Sequence, residues 1–330
     1  MSRRERRLIG RKLIQDEKVE SVQTSSSIGP IGKFFDKHYH KLQIIPLVIL
    51  LLAISYNIYF YQQTGDFVKK GVSLAGGTTV TVSTAEPVNQ IDLEKTLGTQ
   101  LPELDLSVRV LRSGGTSSGF TVDAATVVDD NGATQDKMVD TLTALYPSAK
   151  FSVETTGPSL GRAFFVQTMW AVLAAFVLMG IVVFVSFRTF YPSVAVMLAG
   201  FSTVVSTLAV FNMLGFSLST AGVAAFLMLI GYSIDTDILL STRVLRRDGE
   251  FISNVWSAAK TGLTMQLTTA ITVFIVLVFS NNAVFNQIMT IILIGMIFDV
   301  LYTWIQNAAI LKWYFESKSV KAKLARGVRI

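Results

Sequence analysis

Six stretches of the chain are apolar for long enough to cross a bilayer, and one long polar stretch separates the first from the other five. A hydrocarbon core about 30 Å thick takes roughly 20 apolar helical residues. The first stretch is 42–61, with Pro46 in its first turn, where proline is tolerated. The second, 163–187, holds no ionisable residue. Residues 189–234 are again uncharged but too long for one span, and Leu214-Gly215-Phe216-Ser217 divides them into a third span, opened by Pro192, and a fourth. Residues 261–298 divide at Ser280-Asn281-Asn282 into a fifth span near 263–279 and a sixth near 285–311.

The polar stretch changes its period several times. Residues 72–82 read as a strand, with a bulge expected at Gly76-Gly77. Ile91, Leu93 and Leu97 give 89–101 helical spacing, and Met138, Val139, Leu142 and Leu145 do so for 134–146. Residues 106–111, 120–128 and 150–155 alternate as strands do. The resulting order, β-α-β-β-α-β, is the split βαβ or ferredoxin-like pattern. The expected fold class is therefore an α-helical polytopic membrane protein with six transmembrane helices and an α+β ferredoxin-like domain between the first and second. The expected division is a basic arm 1–41, a first span 42–61, an extracytoplasmic domain 62–162, a five-helix bundle 163–311 and a basic tail 312–330.

Composition agrees with a membrane protein: 51% hydrophobic residues, 16% charged, and a mean hydropathy of +0.49. The absence of cysteine excludes a disulfide framework and a thiolate site, and His38 and His40 alone make a histidine-built triad or metal centre improbable. No Gly-Lys-Ser/Thr follows the glycines at 71–77, so no Walker loop is present and nucleotide hydrolysis is not expected. Asp129-Asp130-Asn131-Gly132 lacks the spacing and closing glutamate of a calcium loop and reads as a turn. The expectation is a protein without catalytic residues, metal or cofactor.

Charge sets the orientation. With a cytoplasmic N-terminus, the inner segments carry 21 basic and 8 acidic residues, while 62–162 carries 8 basic and 12 acidic. Both termini are thus expected in the cytoplasm of a cell-membrane protein. No cleavage site follows the first span; Tyr56, Tyr59, Phe60 and Tyr61 do, as an interfacial belt suited to an uncleaved signal anchor. The cluster of Arg3, Arg4, Arg6, Arg7, Arg11 and Lys12 is read as a topology signal attracted to anionic lipid rather than as a nucleic-acid contact. Phe251, Ile252, Val255, Trp256 and Ala259 have the spacing of a short helix lying at the interface.

Three acids remain, all within spans: Asp235, Asp237 and Asp299. A carboxylate there costs about 2.5–3.5 kcal/mol on insertion scales, so function is its default reading. Asp235 lies among small residues of the fourth span, including Gly222, Gly231 and Ser233, which allow close helix packing. Arg243 lies roughly 12 Å further along the same helix, too far for a salt bridge there. Asp237 points about 200° away from Asp235. For Asp235 the functional reading leads; Asp237 and Asp299 read equally as functional or as hydrogen-bonded helix glue.

Short motifs carry a family resemblance. Gly71-Val-Ser-Leu-Ala-Gly76-Gly77-Thr78 resembles the Gly-Val-Asp-Phe-x-Gly-Gly-Thr segment of the SecD/SecF family, with Ser73 in place of the usual aspartate. Gly157-Pro158-Ser-Leu-Gly161 resembles that family's entry to the second span, and Gly231-Tyr-Ser-Ile with Arg243 its fourth-span motif. Over about residues 30–315 the chain is similar to the SecF side of this RND-superfamily group, of archaeal type. The resemblance implies half of an RND-type bundle that pairs with SecD and assists preprotein translocation through SecYEG. It also implies a proton-coupling role. Bacterial members place their aspartate where Thr236 stands, so that role reaches Asp235 through its match to the Asp-Ala-Asn motif of SecD. The alternatives are an RND-type half-transporter of lipid or small hydrophobic solutes, and a translocon scaffold without ion coupling.

Overall fold

Gly65, at φ 77°, ends the first span by donating its N–H to the Tyr61 carbonyl. The chain then enters a small sheet domain and returns to five further apolar helices. The computed structural model describes residues 38–317 except 85, 87, 103, 105, 114–115, 125–132, 247–249 and 281. Most of the basic arm, the turn at Asp129-Asp130-Asn131-Gly132 and the tail beyond 317 lie outside the described residues.

Among the described residues, six helices are long and apolar enough to cross a membrane. The first span runs His38–Thr64, and α1 (Ile44–Thr64) is its main part. Its end leads to a one-turn helix, α2 (Val72–Ala75), followed by β1 (Gly77–Ser83), α3 (Gln90–Gln100), β2 (Leu106–Ser113), β3 (Thr116–Ala124), α4 (Ala133–Leu145) and β4 (Lys150–Thr156). The remaining spans are α5 (Pro158–Phe187), α6 (Phe190–Met213), α7 (Thr220–Arg246) and α8 (Phe251–Phe279), then a last one of three parts. These are α9 (Ala283–Leu301), a π-helical stretch Tyr302–Asn307 and α10 (Ala308–Glu316).

Two expectations need correction. The strand expected over 72–82 starts only at Gly77; Val72–Ala75 closes a helical turn instead, capped by the Gly76 N–H on the Val72 carbonyl. The sheet's bulge lies at Leu111/Arg112 of β2, not at the paired glycines. The short interfacial helix expected around Phe251 is the start of α8 itself. Phe251, Ile252 and Val255 are buried there against Leu240 and Val244 of α7 and Leu311 of α10, because their apolar face finds helices to pack on.

The sheet is antiparallel with order β2-β3-β1-β4. Alternation gives it two faces. Val80 and Val82 with Val108, Phe120 and Val122 point to one side, where Leu97 of α3 and Met138 and Leu142 of α4 cover them. Thr79, Thr81, Arg109, Thr121, Asp123 and Glu154 make the other face polar; there Arg109 pairs with Asp123, and the Thr79 hydroxyl donates to Asp123 at 2.7 Å. Part of this polar face borders a cavity of about 400 Å³ whose opposite wall is formed by Phe211, Phe216, Ser219 and Gln287 of the bundle.

Helices α6 and α7 are central, about half buried by the rest of the chain, whereas α5 is mostly left uncovered by it. Phe226 and Leu229 of α7 pack with Phe211 of α6 and with Ile291, Ile292 and Met296 of α9. Asn282 caps α9 by accepting the Val284 N–H at 2.8 Å, and Pro158 opens α5 at its first turn.

Candidate functional site

Helix α7 brings one acid to the middle of the bundle, and the end of α9 brings another. Asp237 is 0% exposed and Asp299 3% exposed, and the two carboxyl groups lie within electrostatic range of each other. Asp299 Oδ2 accepts from the Thr236 hydroxyl at 3.0 Å and from Gln266 Nε2 on α8 at 2.5 Å. Trp304 of the π stretch holds that amide, donating its ring N–H to Gln266 Oε1 at 3.1 Å. Asp237 Oδ1 accepts from Asn307 Nδ2 at 2.7 Å.

The second oxygen of each carboxyl, Asp237 Oδ2 and Asp299 Oδ1, makes no hydrogen bond of ordinary length and angle among the described residues, although the Thr303 hydroxyl faces both acids and the Ser233 hydroxyl faces Asp299. No lysine or arginine among them pairs with either acid. Ser241 of α7 and Asn307 of the π stretch add two more buried oxygens without hydrogen-bond partners among the described residues. A buried polar atom left unpaired costs about 1–3 kcal/mol, so this concentration marks a site rather than ordinary packing. The π stretch belongs to it. Its wider turn leaves Tyr302, Thr303, Gln306 and Asn307 all buried, and insertions of this kind are frequent at functional positions. Tyr302 hydrogen-bonds Ser206 at 2.6 Å, and Gln306 donates to Ser202 at 3.3 Å, so α6 completes the polar seam.

Asp235 lies on the opposite side of α7, exposed, as the 200° separation requires. With Tyr232, Met265 and Thr269 it lines a cleft of about 100 Å³ that has Asp299 on its wall. Arg243 joins neither acid; it donates to the Ser257 carbonyl at 2.5 Å and hydroxyl at 2.9 Å, tying α7 to α8. Ser233 is buried in the seam, and Gly222 is packed against Leu218 and Gln287, while Gly231 is exposed with no neighbour where a side chain would project.

The motif glycines form a second constellation. Gly76, at φ 89°, sits where an added Cβ would meet Pro158 Cα at 2.6 Å, and a Cβ on Gly161 would meet Gly76 N at 2.6 Å. The start of α5 and the turn α2 therefore interlock backbone to backbone. Beside them, Gly71 donates to the Leu218 carbonyl at 2.7 Å, and the Leu218 N–H returns to the Lys69 carbonyl at 2.7 Å. The Thr220 N–H, first in α7, donates to the Ser73 hydroxyl at 3.1 Å. Gly157 precedes α5 and accepts the Gly161 N–H; Gly77 and Thr78 begin β1, and the Thr78 hydroxyl meets that of Thr155 on β4 at 3.2 Å. The sheet domain is thus stitched to the heads of α5 and α7.

Gln266, Thr236 and Trp304 were not legible as site residues. Gln266 had a usable signal, as the one amide within the fifth apolar stretch. Thr236 had one too, since it stands where bacterial members of the resembled family place their aspartate; Trp304 had none, since tryptophan is common in spans.

Six apolar helices around a buried polar seam, with an α+β domain inserted after the first, define a polytopic membrane protein. Residues 137–317 match the family model described as protein export membrane protein SecD/SecF, C-terminal. The chain is 37% identical over 292 residues to the protein-export membrane protein SecF of Methanolacinia petrolearia, covering 86% of this chain and 98% of that one. It is 34% identical to the SecF of Pyrococcus furiosus, covering 85% and 93%. The chain belongs to the SecD/SecF family of protein-export membrane proteins. Among solved structures it resembles SecDF of Thermus thermophilus, with a TM-score of 0.66 at 20% identity, over 85% of this chain and 38% of that one.

Proposed function

We infer that this chain is an accessory subunit of the Sec protein-export machinery, which pairs with a SecD-type partner and assists preprotein passage through SecYEG. It acts by coupling ion movement at the Asp237–Asp299 seam to motion of its sheet domain. One observation carries the mechanism: α7 holds Asp237 in the seam, and its first residue, Thr220, is bonded to the turn that opens the sheet domain. The two points are roughly 25 Å apart along one helix, so a shift of α7 at the seam moves the domain's anchor.

The sheet domain is a ferredoxin-like unit on the extracytoplasmic side, with both termini in the cytoplasm; the basic excess of the other segments supports this orientation. Asp235 supports the partner: an ionisable group on the exposed face of a span needs covering, and a SecD-type bundle supplies the cover. The moving ion is a proton, which either unpaired carboxyl oxygen can take. A second reading, a hard cation such as sodium, is favoured by the all-oxygen makeup of the seam, which gathers two carboxyl oxygens, the hydroxyls of Ser233, Ser241 and Thr303, and the Asn307 amide oxygen.

The test is gradient-driven preprotein export into membrane vesicles holding the complex. Asp237→Asn and Asp299→Asn keep size and should abolish the response to the gradient while leaving co-purification with the SecD-type partner intact. Export that persists after proton-gradient collapse but stops when sodium is replaced by choline would assign the cation. Because the chain has no cysteine, single cysteines report topology cleanly. Thr99→Cys should react with an impermeant maleimide on intact cells, and Glu250→Cys only after permeabilisation; the reverse pattern overturns the orientation.

A further inference from the structure

A cavity of about 630 Å³ lies where α1 and α5 leave the apolar band, next to the sheet domain and away from the acid seam. Phe60 of α1 and Phe165 of α5 are among its apolar walls, and Lys69, Lys70 and Arg162 are its basic groups. Asp66 is its one acid. Three of the eight basic residues of segment 62–162 therefore converge on this one place. Lys70 is held, with Nζ 2.7 Å from Asp66 Oδ1 and 4.4 Å from the centre of the Phe165 ring. Lys69 is exposed and reaches the Ser107 hydroxyl at 3.4 Å. Arg162 is exposed and has no partner among the described residues. Lys70 and Asp66 neutralise each other, so Lys69 and Arg162 leave the cavity with two uncompensated positive charges.

We propose that this cavity binds the phosphodiester headgroup of an anionic glycerolipid, with the acyl chains descending along Phe60 and Phe165. Depth and chemistry point the same way. Lys69 lies five residues beyond the end of α1 and Arg162 four residues into α5, which is headgroup level on both helices. Phe60 and Phe165 lie about one turn further into the bilayer. Free phosphate has no use for the apolar walls, and an uncharged lipid has none for the cations. Guanidinium suits a phosphodiester through paired N–H donors, and Lys69 adds a second cation. The site does not depend on the direction in which the chain crosses the membrane. Its lining also includes Ala75 and Pro158, so a bound headgroup touches the interlock of α2 with α5 and makes domain anchoring sensitive to lipid composition.

The test uses the purified full chain, delipidated in mild detergent and titrated with phosphatidylglycerol while native mass spectrometry counts bound lipid. One phosphatidylglycerol should be retained with preference over phosphatidylcholine and diacylglycerol. Arg162→Gln should weaken retention about 5-fold and Lys69→Gln with Arg162→Gln about 25-fold, at roughly one surface-charge contribution per cation. Millimolar inorganic phosphate should not compete. Neither side chain makes an ion pair in the fold, so both variants should melt as the unaltered chain does; should the double variant misfold, Arg162→Gln alone decides. Equal retention by the unaltered chain and the variants overturns the proposal. So does displacement by inorganic phosphate, which makes this a free-anion site, and so does equal binding of diacylglycerol, which makes it an apolar groove.

Discussion

Between sheet and helices of the inserted domain, the fully buried side chains among the described residues are apolar: Val80, Val82, Leu97, Phe120, Met138 and Leu142 among them. In the middle of the bundle, the space between α7, α9 and the π stretch is filled by Asp237, Asp299, Ser233, Thr303 and Asn307, buried polar side chains whose hydrogen bonds are incompletely met. The first arrangement has one good state, because every atom there gains from contact and nothing is left to satisfy. The second has unmet hydrogen-bonding capacity, so a proton, a cation or a small helix shift changes its energy by kilocalories. A rigid unit attached to a site whose energy an ion can change is what the proposed conversion of ion movement into domain movement requires.

The most severe way to break this comparison is in the domain core. Phe120→Ala removes a fully buried ring and should cost about 3–5 kcal/mol, enough to unfold the domain alone. Hydrogen exchange should then show loss of protection across β1 to β4 with the spans unaffected; protection lost equally in α6 and α7 would mean that domain and bundle form one cooperative unit. Next is the interlock. Gly76→Ala places a Cβ against Pro158 at a left-handed backbone position, at a strain of roughly 1–3 kcal/mol. Exchange in Val72–Ala75 should rise while the core holds and gradient-driven export falls. In the seam, Gln266→Ala removes a donor from Asp299 and the partner of Trp304, and should cost about 1–2 kcal/mol. Thermal unfolding of the bundle, followed through Trp304 fluorescence against a Trp304→Phe control, measures it. Asp235→Asn changes a residue exposed in this chain and should shift the stability of the isolated subunit by less than about 0.5 kcal/mol.

The spans were legible because runs of about 20 apolar residues leave few alternatives, and the sheet because period-2 alternation survives in β2 and β4. Val72–Ala75 was misread because Val-Ser-Leu-Ala alternates as a strand would, while the chain is turned there by contacts with Leu218 and Pro158 that lie far off in sequence. The start of α8 was misread for a related reason. An amphipathic face fits a bilayer surface and a helix groove equally well, and only the fold brings Leu240 and Leu311 to it.

The acids show the same limit. Helical geometry separates Asp235 from Asp237, yet which of them faces inward depends on where α9 packs. The small residues near Asp235 drew attention to its neighbourhood, but Gly231 opens onto exposed surface, and the close contacts of α7 are on the side of Ser233 and Asp237. The π stretch has no sequence signature, but Thr303, Gln306 and Asn307 follow Asp299 at spacings that already place them on overlapping faces, and all three are buried with it.

The central claim, that the buried pair rather than the exposed acid carries ion coupling, is tested most directly by comparing three variants in one export assay. Vesicles holding the complex with Asp235→Asn, Asp237→Asn or Asp299→Asn would be followed for preprotein translocation with and without an imposed ion gradient. The account predicts that Asp237→Asn and Asp299→Asn each lose at least about 10-fold of the gradient-stimulated rate, while Asp235→Asn stays within about 2-fold of the unaltered chain; a 10-fold change is a coupling energy of about 1.4 kcal/mol. Full stimulation in both seam variants, or its loss in Asp235→Asn alone, would contradict it.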